Sequence, residues 1–442
     1  MTESHNAGLL TFGQLYIWRN AEPYPAQVLG EVNLAAVLDV PVGTGPAAVT
    51  EAVTALESRH EILRTHYEVD ERTGAPLQIV HSRTGGELRV FEGTPDDVAR
   101  YAADAGNWSQ TMPLDPTARP PWQVTMTLAD GVPAQLVIVA HHIMLDWMSL
   151  ERLKGELSTL LRGRMPSGRT ARPLDIAREQ RSPRWSAQRT DAARYWADLL
   201  PTLPWRQAPP VWAATTPDQS RWHQPLLRSA ALARSVRRLT QQLDVSGSTL
   251  LLALATITLW RLFGWDRPVL SLMAANRWLS RDMQHALCCT AQPVPTVVPV
   301  NPQESVADLV QRVQRSSARS YHNGSYDLDV VHTVHGHERS RADVLFHQQF
   351  IVNYVASPPA ESSDPPAAEQ VLAWLPERET GPNGLLVHDE GTTVSLWLRL
   401  DVGLLPPERA ARLVLALDEV AADLTAEARV GAIAQHRAWD DV

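Results

Sequence analysis

The residues best suited to chemistry are two adjacent histidines that follow a run of apolar residues. His141 and His142 come directly after residues 136–140, and Asp146 lies four residues after His142. A histidine with an ordinary pKa of about 6.5 can accept a proton at neutral pH and return it later in a reaction. The pattern therefore indicates a general base, with an aspartate near enough to orient the following loop through an ion pair.

Two other interpretations of the histidine pair stay open on these residues. Successive side chains of a strand point to opposite faces, so only one of the two histidines can face a given cavity. That divergence argues against a metal site, as does the lack of a second group of His, Cys or Asp residues at ligand spacing nearby. The pair could instead be structural, hydrogen-bonded at the edge of the core.

Periodicity predicts the elements that must position these residues. Residues 122–128 and 134–140 have the composition of two strands, and Asp130-Gly131 between them is typical of a hairpin turn. Residues 148–161 have the apolar spacing of a helix. The second strand leads into the histidines, so the aspartate is expected in a strand-to-helix connection, where ligand-binding residues are common.

Length and composition indicate a globular protein with more than one core. The chain has 442 residues, of which 44% are hydrophobic and 20% charged. Predicted strands and helices alternate in both halves, which favours an α/β fold built of two similar lobes. Composition shifts towards Arg, Pro, Ser and Trp near the middle, so we expect an N-terminal domain at residues 1–180 and a C-terminal domain at residues 181–442.

Charge, the lack of long apolar stretches and cysteine content exclude several classes of protein. The net charge is −9 and no basic run is present, so nucleic acid is not an expected partner. The N-terminus has no signal-peptide pattern and no apolar stretch approaches about 18 residues, so we expect no membrane partner. Cys288 and Cys289 are adjacent and cannot form an ordinary disulfide, which fits reduced thiols and a soluble cytoplasmic protein.

A possible dinucleotide-binding pattern lies near the N-terminus. The sequence GTGPAA at residues 43–48 fits G-x-G-x-x-A between a predicted strand at residues 32–40 and a predicted helix at residues 46–60, with Glu68 or Asp70 placed to bind a ribose. Against this interpretation, no long series of βαβ units follows, and proline is ordinary at the start of a helix.

Four segments, in chain order, resemble the condensation domains of nonribosomal peptide synthetases. The histidine pair and Asp146 resemble the HHxxxDG motif, with Trp147 in place of the glycine, and residues 59–67, RHEILRTHY, resemble the motif RHExLRTxF. Ala275-Asn276-Arg277 matches the family's Ala-Asn-Arg. Residues 339–354 resemble the family's late RDxSRxPLF motif and the strand after it.

The resemblance implies the fold and the site. Condensation domains have two chloramphenicol acetyltransferase-like α/β lobes arranged as a V-shaped pseudo-dimer, with the active site in a tunnel between the lobes. His142, His141 and Asp146 would then be the catalytic residues, and Arg277 would form an ion pair with Asp146 between the lobes. The further residues expected in the substrate tunnel are Trp147, Ser149, Asn276 and Asp343.

The implied reaction is acyl transfer from the phosphopantetheine thioester of a carrier protein to a small-molecule hydroxyl or amine acceptor, giving an ester or an amide. His142 would deprotonate or hold the nucleophile, and backbone N–H groups near residues 147–149 could stabilise the oxyanion. No cofactor or metal bound by the protein itself is expected. The whole chain is taken up by two lobes, so carrier proteins are expected to act in trans.

Trp147, which replaces the glycine of the family motif, leads to two alternative functions. A free-standing condensation enzyme would be similar to those of enediyne antibiotic biosynthesis, which use an alcohol acceptor. Trp147 in place of glycine would then reshape the tunnel for an unusual substrate, since glycine adopts backbone angles that other residues avoid and leaves more room. The alternative is a catalytically silent docking protein that only binds carrier proteins.

Overall fold

The computed structural model divides the chain into two compact units. The first comprises Met1–Asp191, Ala275–Gln292 and Ser325–Asp329, and the second comprises the rest of the chain. This partition differs from the expected continuous division at residue 180, because two short segments from the second half of the sequence belong to the first unit. The ranges that the structure describes are 6–22, 26–82, 88–202, 222–334, 350–356, 369–378, 383–401 and 405–433.

The first unit contains one mixed sheet of four strands and one antiparallel sheet of three strands. A four-stranded sheet has the order β2-β7-β6-β5, and a three-stranded sheet has the order β1-β4-β3. The strands are β1 (Asn6–Leu9), β2 (Asn33–Asp39), β3 (Thr65–Val69), β4 (Pro76–Val80), β5 (Leu88–Gly93), β6 (Trp122–Ala129) and β7 (Val132–His141).

Helices flank these sheets, and several begin with the capping residues that the sequence offers. The helices up to residue 199 are α1 (Phe12–Ala21), α2 (Pro46–Arg59), α3 (Pro95–Ala103), α4 (Ala105–Trp108), α5 (Trp147–Leu161), α6 (Pro173–Arg181) and α7 (Ser186–Leu199). Residues 95–108 form two helices instead of one, since Asp104 leaves helical geometry with ψ near 5°.

The later part of the chain forms one seven-stranded sheet in the order β10-β9-β11-β13-β14-β8-β12. Its strands are β8 (Trp222–Ser229), β9 (Val269–Ala274), β10 (Gln292–Val297), β11 (Phe350–Ala356), β12 (Gln370–Arg378), β13 (Gly384–Asp389) and β14 (Val394–Asp401). The helices are α8 (Ala230–Leu243), α9 (Gly247–Phe263), α10 (Arg281–His285), α11 (Val306–His322), α12 (Leu328–Val334), α13 (Pro407–Asp423) and α14 (Val430–Ile433).

The hairpin of β6 and β7 positions the histidine pair. Asp130 and Gly131 both have positive φ angles, 50° and 82°, as a type I′ turn requires, and the strands pair antiparallel on either side. On one face of β7, Val137 and Val139 pack in a core cluster with Leu114. This packing fixes the register of β7, and hence the face on which each histidine lies.

The dinucleotide-binding interpretation is wrong. The strand before the glycine-rich turn, β2, pairs antiparallel with β7, so this strand, turn and helix are not part of a parallel βαβ unit. Gly43 has a φ of 87° in the turn, and Pro46 occupies the first turn of α2. Both residues are explained by the turn and the helix start.

No single helix among the described residues is long and apolar enough to cross a membrane. Helix α8 together with residues 247–261 of α9 meets the requirement by length and composition only, and these two segments are bent by 105° relative to each other.

Candidate active site

The polar residues of the HHxxxD motif lie where β7 ends and α5 begins. His141 is the last residue of β7, and the N–H of His142 still donates to the carbonyl of Val32 at 3.2 Å. Asp146 is the N-cap of α5. Thus the strand, the turn and the helix start bring all three side chains to one region of the first unit.

His141 is held as a neutral, structural residue. Its side chain is buried, and its Nδ1 accepts a hydrogen bond from the N–H of Ile143 at 3.1 Å, so the proton of the neutral ring resides on Nε2. Burial, and then the neighbouring His142, lower the pKa of His141 to about 3. A group that resists protonation so strongly is a poor general base at neutral pH.

His142 differs from its neighbour in both exposure and hydrogen bonding. Its side chain is only partly buried. Its Nδ1 atom is buried and has no hydrogen-bond partner among the residues that the structure describes. Of the two histidines, His142 is therefore the one whose ring remains available to a substrate.

Asp146 combines a capping role with a buried ion pair. Its Oδ1 accepts from the N–H of Ser149 at 2.9 Å, and its Oδ2 accepts from the N–H of Thr290 at 3.1 Å. Nη2 of Arg277 lies 2.5 Å from Oδ1 and 2.7 Å from Oδ2. Burial alone would raise the pKa of the carboxyl, but Arg277 and then the backbone donors outweigh it, so the net pKa is lowered.

Arg277 is held by backbone carbonyls as well as by the aspartate. It donates to the carbonyls of Ala286 at 2.7 Å, Cys288 at 3.0 Å and Met283 at 3.2 Å. Burial lowers the pKa of Arg277, but Asp146 raises it more, so both partners favour their charged forms. With side chains only 11% and 5% exposed, this is a buried, well-coordinated ion pair.

The expectation that this ion pair lies between two lobes is wrong. Asp146 and Arg277 both belong to the first compact unit, because Ala275–Gln292 packs with it. Backbone contacts explain this: the N–H of Cys289 donates to the carbonyl of Met144 at 2.9 Å. The hydroxyl of Thr11 donates to the carbonyl of Cys289 at 2.9 Å.

Ser149 and Asn276 are buried, and both side chains bind backbone carbonyls, which gives them a structural role. Ser149 is 1% exposed; its hydroxyl donates to the carbonyl of Cys288 at 2.9 Å and accepts from Arg277 at 2.7 Å. Asn276 is equally buried, adopts a φ of 59° and donates to the carbonyl of Thr290 at 2.9 Å. Because Asp146 binds the N–H of Ser149, that group is not available to an oxyanion either.

Trp147 occupies an ordinary helical position. It is the first residue of α5, its φ is not positive, and its side chain is 39% exposed. The backbone here therefore does not require glycine, and the effect of the indole is on the space in front of the helix start. Asp343, the remaining predicted tunnel residue, lies outside the described residues.

The second resembling motif ties α2 to α5. Glu156 of α5 accepts from Nε of Arg59 at 3.0 Å and from Nε of Arg152 at 3.1 Å, and its Oε2 lies 2.7 Å from Nε2 of His60. Burial would raise the pKa of Glu156, but His60 and the two arginines lower it to about 2. The motif stabilises α5, the helix that Asp146 caps, and we assign it no direct chemistry.

The contributions of residues 288–290 were not predicted from sequence. They act mainly through backbone groups, which leave no side-chain signature. A partial signal was the Thr11-x-x-Gln14 pattern, which forms a capping box at the start of α1. Helix α1 approaches this segment so closely that a Cβ on Gly13 would lie 2.6 Å from the carbonyl oxygen of Cys289.

The described residues contain no group of three or more His, Cys, Asp or Glu side chains that could hold a metal ion. Cys288 and Cys289 are both buried and free. Burial raises the pKa of Cys288 to about 12 and that of Cys289 well above its usual value, so both remain protonated thiols. A thiol in that state is not a nucleophile at neutral pH.

Comparison with known proteins identifies the family. The sequence matches the Condensation domain family over residues 25–373. The beauvericin nonribosomal cyclodepsipeptide synthetase BEA1 of Gibberella fujikuroi is 26% identical over 299 residues, which cover 64% of this chain and 9% of BEA1. The chain also spans only small shares, 1% and 10%, of the length of two other synthetases that it matches.

Solved structures share the fold. The condensation domain of the Monacolin K polyketide synthase MokA aligns with a TM-score of 0.75 at 17% identity, covering 96% of this chain and 99% of that domain. SgcC5 from Streptomyces globisporus aligns with a TM-score of 0.70 at 15% identity, covering 94% and 98%. The chain has the mixed α/β fold of condensation domains and belongs to the Condensation domain family, whose members are generally acyl or peptidyl transferases.

Proposed function

We propose that this chain transfers an acyl or aminoacyl group from the phosphopantetheine thioester of a carrier protein to an amine or hydroxyl acceptor. The observation that carries the proposal is that the side chains of the three motif residues differ in their hydrogen bonds and ion pairs. His141 is neutral and hydrogen-bonded, and Asp146 is bound to Arg277. The buried Nδ1 of His142, in a side chain that is only partly buried, has no hydrogen-bond partner among the described residues.

The proposed reaction uses that arrangement as follows. The nitrogen or oxygen of the acceptor attacks the thioester carbonyl while His142 holds the nucleophile or takes its proton. The tetrahedral intermediate then collapses, the C–S bond breaks, and the proton passes to the phosphopantetheine thiol. General base catalysis of this kind contributes about 10²–10⁴-fold, and positioning of the two substrates contributes further.

Two backbone groups are suited to the oxyanion. The N–H groups of Trp147 and Met148 belong to the first turn of α5, where no intrahelical acceptor exists, and Asp146 caps Ser149 instead. The N-terminus of α5, a helix of 15 residues, also favours developing negative charge. We propose that these two N–H groups, rather than that of Ser149, stabilise the intermediate.

We further propose that the carrier proteins act in trans and that the acceptor is a small molecule. Whether the product is an ester or an amide depends on the acceptor, and an enediyne-type alcohol acceptor stays a prediction. The exposed indole of Trp147 at the helix start supports an altered substrate, and it equally motivates the second candidate, a silent docking protein.

The test is mass spectrometry of acyl-loaded carrier proteins incubated with the protein and a panel of amines and alcohols. Wild type is compared with His142→Ala, and carrier binding is measured in parallel by calorimetry. Product that requires His142, with carrier binding retained in the variant, supports the transferase. Carrier binding without turnover in wild type across the panel would instead favour the docking protein.

A further inference from the structure

The start of helix α1 contacts a segment from a distant part of the chain, and the first contact is made by Thr11. This residue is the N-cap of α1 and is fully buried. Its hydroxyl oxygen accepts from the N–H of Gln14 at 3.2 Å, and its hydroxyl proton is donated to the carbonyl of Cys289 at 2.9 Å. A hydroxyl carries one proton only, so the bond to Cys289 uses the whole donor capacity of this side chain.

Gly13 makes a second, independent contact with the same segment. A Cβ atom on Gly13 would lie 2.6 Å from the carbonyl oxygen of Cys289 and 2.7 Å from Cα of Thr290. Carbon atoms in van der Waals contact lie about 3.5–4.0 Å apart, so no larger residue fits while the segment keeps its place. Gly13 lies within α1 and its φ is not positive, so this close approach requires the glycine and the backbone conformation does not.

Cys289 and Thr290 in turn hold the histidine turn, residues 141–146. The N–H of Cys289 donates to the carbonyl of Met144 at 2.9 Å, and the N–H of Thr290 donates to Oδ2 of Asp146 at 3.1 Å. The same two consecutive residues therefore receive the contacts of α1 and make the contacts to the turn. A displacement of this segment moves both donors, and with them the turn that carries the histidine pair.

We propose that Thr11 and Gly13 are positioning residues for the reaction at His142, and we call these two residues the α1 clamp. The α1 clamp fixes residues 289–290 and, through them, the turn on which His142 lies. Both of its residues are buried, so neither touches a substrate, and the clamp acts on the rate and not on substrate binding. A reacting group misplaced by about 1 Å can lose about 10²-fold in rate. This role rests on the proposed acyl transfer and assigns two further residues to it.

The first experiment reads the position of His142 without any assay of activity. NMR spectra of the full chain carrying isotope-labelled histidine are recorded, and His142→Ala assigns the resonance of His142. Thr11→Val has nearly the shape of threonine but lacks the hydroxyl, Thr11→Ser retains the hydroxyl, and Gly13→Ala adds the excluded Cβ. Thr11→Val and Gly13→Ala shift the His142 resonance, and Thr11→Ser leaves it close to its wild-type position.

The matched control is Thr256→Val. Thr256 is also a fully buried threonine, and its hydroxyl donates to the carbonyl of Leu252 at 2.8 Å within α9. The variant loses the same kind of buried hydrogen bond as Thr11→Val and is destabilised for the same reason. It leaves the His142 resonance unchanged, because the lost bond lies inside one helix.

The second experiment measures kcat and KM with an acyl-loaded carrier protein, below the temperature at which any variant begins to unfold. Thr11→Val and Gly13→Ala lower kcat about ten- to a hundredfold and change KM less than about twofold. Thr256→Val changes neither constant. Alanine is a better helix former than glycine, so the loss in Gly13→Ala comes from the contact with Cys289 and not from α1 itself.

The proposal is overturned if both folded clamp variants keep the wild-type His142 resonance, if Thr256→Val shifts it equally, or if the resonance shifts while kcat stays at the wild-type value. If Gly13→Ala does not fold, Thr11→Val and Thr11→Ser decide alone. A wild type without turnover would contradict the proposed acyl transfer instead. In that case a shifted resonance in the clamp variants would still support that the α1 clamp sets the position of the turn.

Discussion

Arg277 and Asp146 are 131 residues apart in the sequence, yet their side chains meet at 2.5 Å inside one compact unit. The ion pair connects the end of β9 with the start of α5, the helix that directly follows the histidine turn. Because Asp146 also binds the N–H groups of Ser149 and Thr290, it fixes three chain segments at once. Its primary role is thus to hold the turn on which His142 lies.

Replacing Arg277 by methionine should destabilise the protein by about 3–5 kcal/mol, because Asp146 would remain buried without a counter-charge. Urea unfolding measures the change. The matched control is Arg178→Met, whose partner Asp175 lies at a similar 2.9 Å but in an exposed setting. Exposed pairs contribute about 0–1 kcal/mol, so equal losses in the two variants would contradict a buried structural ion pair.

The pH dependence of stability should report Glu156. Its folded-state pKa is about 2 against an ordinary value of 4.5, so folding favours the charged form. The stabilisation is therefore complete above about pH 4.5 and is lost as the pH falls towards 2. In unfolding experiments from pH 7 to pH 3, the difference between wild type and Glu156→Gln should shrink on acidification.

The control for this pH experiment is Glu71→Gln, an exposed glutamate outside any ion pair that the structure describes. It should follow wild type across the whole range. A difference between wild type and Glu156→Gln that stays constant with pH would show that the carboxylate network does not depress the pKa of Glu156.

Variants of the two histidines should have different effects, one mainly on activity and the other mainly on stability. His142→Ala should lower kcat by about 10²–10⁴-fold and leave stability nearly unchanged, because the ring is only partly buried. His141→Ala should instead destabilise the fold, since it leaves the N–H of Ile143 unpaired and opens a cavity beside β7. Thermal unfolding and single-turnover product formation are measured on both variants.

A conservative variant sharpens this comparison. The side-chain oxygen of asparagine can accept the hydrogen bond from Ile143, so His141→Asn should recover part of the stability lost in His141→Ala. If His141→Asn is as inactive as His142→Ala while remaining fully folded, His141 takes part in the chemistry after all.

Much of the framework around the site could be predicted from the sequence, because local patterns determine it. The strand before the histidines and helix α5 both lie within two residues of their predicted bounds. Strand β10, by contrast, was missed because it contains Pro293 and Pro295. Its place at the edge of the sheet explains how the prolines are tolerated. Strand β12 is nearly all exposed and lacks the alternation that marks a half-buried strand.

The site itself was less accessible to sequence reasoning. Spacing alone could not pair Asp146 with a residue 131 positions away, and only the family resemblance named Arg277. Neither the spacing nor the family resemblance indicated that the hydroxyl of Ser149 donates to the carbonyl of Cys288. Such contacts depend on which backbone groups the tertiary fold brings together, and any residue type at position 288 would supply the same carbonyl.

The role of Trp147 can be tested by restoring the family's glycine. Trp147→Gly should retain the fold, with a loss of about 1 kcal/mol or less, because the indole is 39% exposed and the backbone is helical. Trp147→Ala keeps helix propensity and serves as the control for side-chain size. If the indole limits the space before α5, both variants should accept bulkier acceptors in competition assays analysed by mass spectrometry. Unchanged acceptor preference in both folded variants would show that Trp147 does not determine specificity.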